Sequence, residues 1–279
     1  MNSFDESNNS DATWSMIDFT VARVDAELVA DTLWELGVVA IEERDAGDEL
    51  VTLRTSMGND PTRLMEAVAE SFPHVTVAHV QIERAVADTW REFAEPTWVT
   101  DSVALVPAWI IAPSECTAIF VEPLDTFGLG NHATTVLALR LALRHVPRES
   151  SVFDLGSGSG VLAIALAKVN NCSVQAFDIA ESAREALTLN AEINSITSVD
   201  WCHGYPTSTV DAVVANILAP VLIAESHSMS ATVRTGGVVV LSGMRTEQVQ
   251  HVLASFPFFT ELDRESEDGW TAVVLQKRR

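Results

Sequence analysis

The chain has 279 residues, of which 47% are apolar and 20% charged, and its formal net charge at pH 7 is −22. This composition is typical of a soluble globular protein, and the length allows two domains or one large one. Such an acidic surface repels the phosphate backbone of nucleic acids, and direct binding of DNA or RNA is therefore not expected. The negative charge could attract a basic protein substrate, or could serve only solubility or life at high salt. The composition leaves both interpretations open.

The start of the chain and its cysteines favour a cytoplasmic protein. The first dozen residues lack the basic and apolar segments of a signal peptide, and no apolar run approaches the roughly 18 residues of a membrane span. The three cysteines are odd in number and show no Cys-x-x-Cys spacing: Cys116, Cys172 and Cys202. Neither a disulfide framework nor a metal site is therefore expected.

The first third of the chain predicts a small α+β domain. Residues 1–12 are polar and are expected to be disordered. Residues 13–84 then alternate in the order β-α-β-β-α-β, which is typical of a ferredoxin-like split domain. The segments are strand 14–22, helix 25–36, strands 38–43 and 49–57, helix 60–71 and strand 75–82. This domain carries no cofactor loop and no cluster of catalytic side chains, so we interpret it as a recognition module.

Residues 85–100 are predicted to be a linker, whose aromatic residues Trp90, Phe93 and Trp98 would pack against one or both domains. From residue 101 to 279 strands and helices alternate, which predicts a Rossmann-like, mostly parallel sheet with helices on both faces. Predicted strands are 102–106, 118–122, 152–155, 173–177, 199–203, 212–217, 238–242, 258–264 and 270–276. One predicted helix ends at residue 145, and the others span 161–168, 180–193, 221–232 and 246–255.

The most informative motif is a glycine-rich turn between a predicted strand and a helix. Its sequence, Phe-Asp-Leu-Gly-Ser-Gly-Ser-Gly, covers residues 153–160, and Asp178 ends the next strand. In doubly wound domains such a loop approaches a nucleoside closely, and the acidic residue accepts hydrogen bonds from ribose hydroxyls. A dinucleotide fingerprint needs a small residue where this chain has Val161. The pattern instead resembles motif I of S-adenosylmethionine-dependent methyltransferases; another ligand on a Rossmann-like domain is the alternative.

Two further motifs make the resemblance more specific. A predicted strand ends at Asn216 in Asn-Ile-Leu-Ala-Pro, where many amino-directed methyltransferases have Asn-Pro-Pro-aromatic. Upstream, residues 127–135 read Phe-Gly-Leu-Gly-Asn-His-Ala-Thr-Thr, and downstream Leu-Ser-Gly-Met at 241–244 is followed by Gln248. With the small N-terminal domain, these motifs resemble the methyltransferases of bacterial ribosomal protein L-eleven (L11), the PrmA family, from about Trp14 onwards.

The resemblance implies a cofactor, a substrate and site residues. It implies S-adenosylmethionine as cofactor and L11 as the protein partner, docked by the N-terminal domain and methylated on lysine side chains and an α-amino group. By the same resemblance Thr135 lies near the methionine moiety, Gly156 opens the glycine loop and Asp178 holds the ribose. Gly158, in the same loop, is a further expected cofactor-binding residue. Asn216 lies beside the reactive methyl group as the catalytic residue.

Several alternatives stay open. The same chemistry could act on another protein or a small amine, or the fold could be a binding module without turnover. Leu129 and Ala180, which replace polar residues of the family pattern, are the support for the last alternative. A monomer is expected. His132 could accept a proton or shape its loop, Thr134 and Thr135 could cap a helix, and Asp154 is expected to anchor the glycine loop.

Overall fold

The computed structural model of the chain describes residues 13–35, 38, 41–47, 49–56, 61–72, 74–83, 94–122, 124 and 130–278. The chain divides into two compact units, Met1–Ala94 and Glu95–Arg279. The tail predicted to be disordered, residues 1–12, and the predicted linker aromatics Trp90 and Phe93 lie outside the described residues. In the described part of the chain, no helix is both long and apolar enough to cross a membrane.

The smaller unit contains one antiparallel sheet and two helices. Its strands pair in the order β2-β3-β1-β4, and every pairing is antiparallel. With the chain order β-α-β-β-α-β, this is the ferredoxin-like arrangement expected from the sequence. The elements are β1 (Thr13–Ala22), a 3-10 turn (Arg23–Asp25), α1 (Ala26–Glu35), β2 (Ile41–Asp45), β3 (Leu50–Ser56), α2 (Pro61–Ser71) and β4 (Thr76–Glu83).

The core of the smaller unit forms between one face of the sheet and the two helices. Alternate residues of β1, Ile17 and Phe19, are fully buried, as are Val29 and Leu33 one helical turn apart on α1. Leu28, which directly precedes Val29 on α1, is 60% exposed. Successive helix positions differ by about 100° in direction, so Leu28 and Val29 do not both face the sheet.

The larger unit contains a three-stranded and a seven-stranded sheet. Its strands are β5 (Thr97–Thr100), β6 (Val103–Pro107), β7 (Thr117–Val121), β8 (Ser151–Leu155), β9 (Ser173–Phe177), β10 (Val199–Trp201), β11 (Val210–Asn216), β12 (Val233–Arg245), β13 (Phe259–Glu267) and β14 (Trp270–Lys277). Its helices are α3 (Ala133–His145), α4 (Val161–Asn170), α5 (Glu181–Ile193), α6 (Ala219–Ala224), α7 (Ser226–Thr232) and α8 (Val249–Ala254), with a 3-10 turn at Thr246–Gln248.

The seven-stranded sheet has the order β10-β9-β8-β11-β12-β14-β13. The first five strands pair in parallel, and β14 pairs antiparallel with both of its neighbours. The strand order reverses between β8 and β11, and ligands of open α/β sheets bind at the carboxyl ends of the strands beside such a reversal. The small sheet has the order β5-β6-β7. This mixed α/β architecture confirms the fold class expected from the sequence.

The large sheet is buried on both faces. In β11, Ala212 and Val214 belong to the hydrophobic cluster that contains α3 and α4, whereas Val213 and Ala215 belong to the cluster with α6 and α8. Successive strand residues point to opposite faces, so a strand covered on both sides is apolar throughout. This accounts for the uninterrupted apolar runs that predicted parallel strands.

Several predicted elements differ from the observed ones for physical reasons. Residues 97–100, predicted as linker, form β5 and pair with β6. The single helix predicted over 221–232 is two helices that meet at Glu225, and at this junction the Ser226 hydroxyl donates to the Ile223 carbonyl at 2.7 Å, a local bond that competes with helix continuation. The turn predicted at Gly236-Gly237 lies within β12, where the register of the β11–β12 pairing shifts between Val210 and Ala212.

Candidate active site

The ends of three adjacent parallel strands are aligned at one edge of the large sheet. Leu155, the last residue of β8, pairs with Phe177 of β9 on one side and with Ala215 of β11 on the other. The residues that directly follow these three partners are the predicted site residues Gly156, Asp178 and Asn216. The fold therefore brings the glycine loop, the expected ribose carboxylate and the expected catalytic amide to one edge.

The glycine loop between β8 and α4 has a backbone that requires glycine. Gly156, Gly158 and Gly160 have φ angles of +75°, +51° and +79°, in the left-handed region that other residues rarely adopt. A Cβ at Gly156 would collide with the side chain of Ile217, and one at Gly160 with the side chain of Leu187. The loop is thus packed closely from two sides.

Hydrogen bonds from the loop amides hold it against the end of β9. The amides of Gly156 and Ser157 both donate to the Phe177 carbonyl, at 2.8 and 3.1 Å. The Gly158 amide donates to Oδ2 of Asp178 at 2.9 Å. Asp178 is half-buried, and each carboxylate oxygen can accept more than one hydrogen bond. The carboxylate that orders the loop therefore keeps acceptor capacity for a ligand hydroxyl.

The first turn of α3 contacts the end of β11. Nδ2 of Asn216 donates to Oγ1 of Thr135 at 3.2 Å, across 81 positions of sequence. The Ser242 hydroxyl donates to the carbonyl of Thr134 at 2.8 Å, and Ser242 is the pairing partner of Asn216 on β12. The two predicted site residues Thr135 and Asn216 are thus in direct contact, and a second bond fixes the helix start to the same strand pair.

A buried carboxyl group lies beneath the glycine loop. Asp154 is fully buried, its Oδ2 accepts from the Ala163 amide at 3.2 Å, and burial together with the charge of Asp178 raises its pKa to about 7. Oδ1 of Asp154 and Oγ of Ser157 are the two buried side-chain atoms without a hydrogen-bond partner among the described residues. Buried polar atoms normally have partners, so this loop suits a ligand that brings polar groups.

His132 caps α3 and does not stand free in the site. Its Nδ1 accepts from the Thr134 amide at 3.3 Å and lies 2.8 Å from the Thr134 hydroxyl. The ring meets Trp270 edge-on, with centroids 5.2 Å apart, and burial, aided by the charge of Arg245, lowers the pKa of His132. These contacts favour the loop-shaping interpretation of His132. Thr134 also takes part in the cap, as the Thr-Thr sequence allowed.

Some predicted features lie outside the described residues, and one important residue was not predicted. Phe127, Gly128 and Leu129 are not described. No group of His, Cys, Asp and Glu side chains in the described ranges could hold a metal ion. Asn190 of α5, which sequence reasoning missed, contacts the glycine loop by donating to the Ser159 carbonyl at 2.9 Å. Its signal was the presence of asparagine, a weak helix former, inside the helix.

The sequence matches a family of known proteins over nearly its whole length. The family described as "Ribosomal protein L11 methyltransferase (PrmA)" matches residues 13–278. A relative of that name from Thiobacillus denitrificans is 33% identical over 303 residues, covering 95% of this chain and 99% of the relative. Another relative, from Janthinobacterium sp. (strain Marseille), is 31% identical over 302 residues, covering 95% of this chain and 96% of the relative.

A solved structure agrees with the sequence comparison. The crystal structure of the ribosomal protein L11 methylase from Lactobacillus delbrueckii subsp. bulgaricus superposes with a TM-score of 0.62 at 27% sequence identity. The alignment covers 67% of this chain and 100% of the Lactobacillus chain. The aligned strand ends, the glycine loop and the match over residues 13–278 lead to one conclusion: the chain belongs to the ribosomal protein L11 methyltransferase (PrmA) family.

Proposed function

We propose that the protein is an S-adenosylmethionine-dependent N-methyltransferase that modifies lysine side chains and the α-amino group of ribosomal protein L11. The observation that carries the proposal is the contact of Asn216 with Thr135 at the strand edge that also holds Gly156 and Asp178. We further propose that the enzyme acts in the cytoplasm as a monomer and docks L11 through its smaller unit.

The residues at this edge fit S-adenosylmethionine. Gly156 and Gly158 form a cradle without side chains, and Asp178 has acceptor capacity for the ribose hydroxyls. Thr135 would contact the methionine moiety. Oδ1 of Asp154 and Oγ of Ser157, which have no hydrogen-bond partner among the described residues, suit a ligand that brings polar groups to this loop. When bound, the cofactor supplies an electrophilic methyl group on sulfur.

Asn216 would orient the attacking amine. Nδ2 of Asn216 donates to Thr135, which fixes the orientation of the amide. Its Oδ1 is an acceptor and can take an N–H from a substrate amine. The carbonyl of Ile217, the next residue, could accept another and thereby direct the nitrogen lone pair. The carbonyl of Leu218 already accepts from the Val221 and Leu222 amides, at 2.9 and 3.0 Å. With the cofactor bound, the amine held by Asn216 and Ile217 would form its new C–N bond as the carbon–sulfur bond breaks, and its nitrogen would then release a proton to solvent. Correct placement of the two reactants supplies much of the rate.

The nucleophile must be neutral, which is costly for a lysine. With a pKa near 10.4, deprotonation at pH 7 costs about 4–5 kcal/mol. Transfer of the amine from water into the site, beside a cationic sulfur, favours its neutral form. The surface charge has a separate role before this step. A net charge of −22 would speed the encounter with a basic protein, and this effect weakens as salt is added.

Transfer of labelled methyl groups tests the proposal. Purified protein is incubated with radiolabelled S-adenosylmethionine and recombinant L11, alongside the Asn216→Ala variant. We expect label on L11 and a loss of at least about 100-fold in the variant, as is usual when a transition-state contact is removed. If the wild type binds the cofactor but L11 stays unlabelled, the substrate is another protein or a small amine. If the cofactor does not bind at all, the fold is a binding module.

A further inference from the structure

Asn190 is a buried side chain that joins two segments at the candidate site. It is 1% exposed on α5. Its Nδ2 donates to the carbonyl of Glu122 at 2.8 Å and to the carbonyl of Ser159 at 2.9 Å, and its Oδ1 accepts from the Glu122 amide at 2.7 Å. One amide thus binds both backbone groups of the residue after β7 and one carbonyl of the glycine loop.

Asn194, the C-cap residue directly after α5, makes a similar pair of bonds to the backbone of β7. Its Oδ1 accepts from the Phe120 amide at 2.9 Å, and its Nδ2 donates to the Phe120 carbonyl at 2.7 Å. Phe120 and Glu122 present their backbone groups to the same side of the strand because alternate strand residues do so. The two asparagines therefore pair with this edge of β7 as a neighbouring strand would.

The two asparagines differ in two respects. Oδ1 of Asn194 also accepts from Nζ of Lys168 at 3.1 Å, and the remaining donor bonds go to different partners. Asn190 also holds the glycine loop through Ser159, whereas the second donor bond of Asn194 goes back to the Asn190 carbonyl at 2.8 Å. The peptide plane between Ser159 and Gly160 is fixed at both ends, because the Gly160 amide donates to the Ser157 carbonyl at 2.7 Å. Because the peptide unit is planar, any rotation of it would break the hydrogen bond at its oxygen or the one at its nitrogen.

We propose that Asn190 is a positioning residue for the cofactor. It sets the last turn of the glycine loop against Glu122, the residue that follows β7. Asn190 touches the loop backbone and acts on the ligand only through it. A preformed loop binds more tightly because less ordering is needed on binding. This inference rests on the proposed function, since it names a residue that prepares the same site.

Asn194 provides a matched control. Asn190→Ala and Asn194→Ala each remove a buried amide that satisfies the same strand edge, so we expect similar decreases in melting temperature. Titration with S-adenosylhomocysteine should separate them. We expect the dissociation constant to rise about tenfold for Asn190→Ala and less than about twofold for Asn194→Ala, since only the former loses its bond to the loop.

Steady-state kinetics on L11 adds a second measurement. We expect Asn190→Ala to raise KM for S-adenosylmethionine and to leave kcat at saturating cofactor within about threefold, because the reacting groups are unchanged. If Asn190→Ala does not fold, Asn190→Gln and Asn194→Gln give the same comparison with the amide retained but displaced by one methylene group.

The possible results are distinct. Equal effects of the two variants on cofactor affinity, or no effect of either, would overturn the positioning role while leaving the proposed function intact. Failure of the wild-type protein to bind S-adenosylmethionine or S-adenosylhomocysteine would overturn both. A larger effect at position 190 with equal loss of thermal stability supports the proposal.

Discussion

The two units of the chain differ in what they bury. In the smaller unit, Thr55 is the polar residue that is fully buried within the described ranges, and the rest of the core is apolar. The larger unit buries many polar side chains, among them Thr135, Asp154, Asn190 and Asn194. Buried polar groups need partners at defined distances, so they specify one arrangement of the loops they touch. The comparison indicates that buried hydrogen bonds fix the arrangement of the candidate site in the larger unit, whereas apolar packing alone accounts for most of the core of the smaller unit.

Removal of the smaller unit should have the largest effect on activity with L11. A chain of residues 95–279 is expected to bind S-adenosylhomocysteine like the full protein, because the aligned strand ends lie entirely in the larger unit. Methylation of L11 should fall at least about 100-fold if docking energy from the smaller unit is used for catalysis. Unchanged methylation by the shortened chain would contradict the docking role.

Substitution in the glycine loop should affect the cofactor next. Gly156→Ala places a Cβ against Ile217 at a φ of +75° and is expected to weaken S-adenosylmethionine binding at least about tenfold. Gly236→Ala is the control: its φ is +76°, but the nearest atom, Nη1 of Arg234, is 3.7 Å from the added Cβ. Calorimetric titration should show a loss of affinity in the first variant and none in the second.

An ion pair in the smaller unit should affect stability alone. Nε and Nη2 of Arg54 both donate to the Asp18 carboxylate at 2.6 Å, with side chains only 11% and 17% exposed. Arg54→Met leaves Asp18 without its partner, and we expect the smaller unit to lose about 2 kcal/mol of stability. Thermal unfolding should detect the loss. A change in cofactor affinity in this variant would contradict the separation of roles between the units.

The buried carboxyl of the larger unit should make stability depend on pH. The pKa of Asp154 is raised to about 7 in the folded protein, whereas an unfolded chain has an aspartate pKa near 3.9. The folded state therefore binds more protons between these values, and stability falls as pH rises from about 4 through 7.

Asp154→Asn removes this titration and keeps an acceptor for the Ala163 amide. Between pH 5 and 8 we expect the melting temperature of the variant to decrease less than that of the wild type. The difference between the two decreases should be a few degrees, since about 1 kcal/mol corresponds to about 2–4 °C. Parallel pH profiles of the two proteins would show that Asp154 keeps an ordinary pKa.

Local patterns gave most of the secondary structure. The predicted strand 173–177 has the observed bounds of β9, and the alternation of strands and helices led to the correct fold class. Apolar periodicity and glycine turns report on neighbours within a few residues, so they can be read along the chain. The same patterns missed β5, whose four residues are identified by their partner β6 and not by their own sequence.

The sequence by itself determined most of the elements, the glycine loop that follows β8, and the acidic and amide residues that follow or end two neighbouring strands. Only the tertiary structure decided that Leu155, Phe177 and Ala215 pair in register, which brings the residues after them to one edge. It also decided that Asn216 bonds to Thr135 and that Asn190 bonds to Glu122, across 81 and 68 positions. The physical reason is that a short hydrogen bond between distant residues depends on strand order and helix placement, which no local pattern encodes.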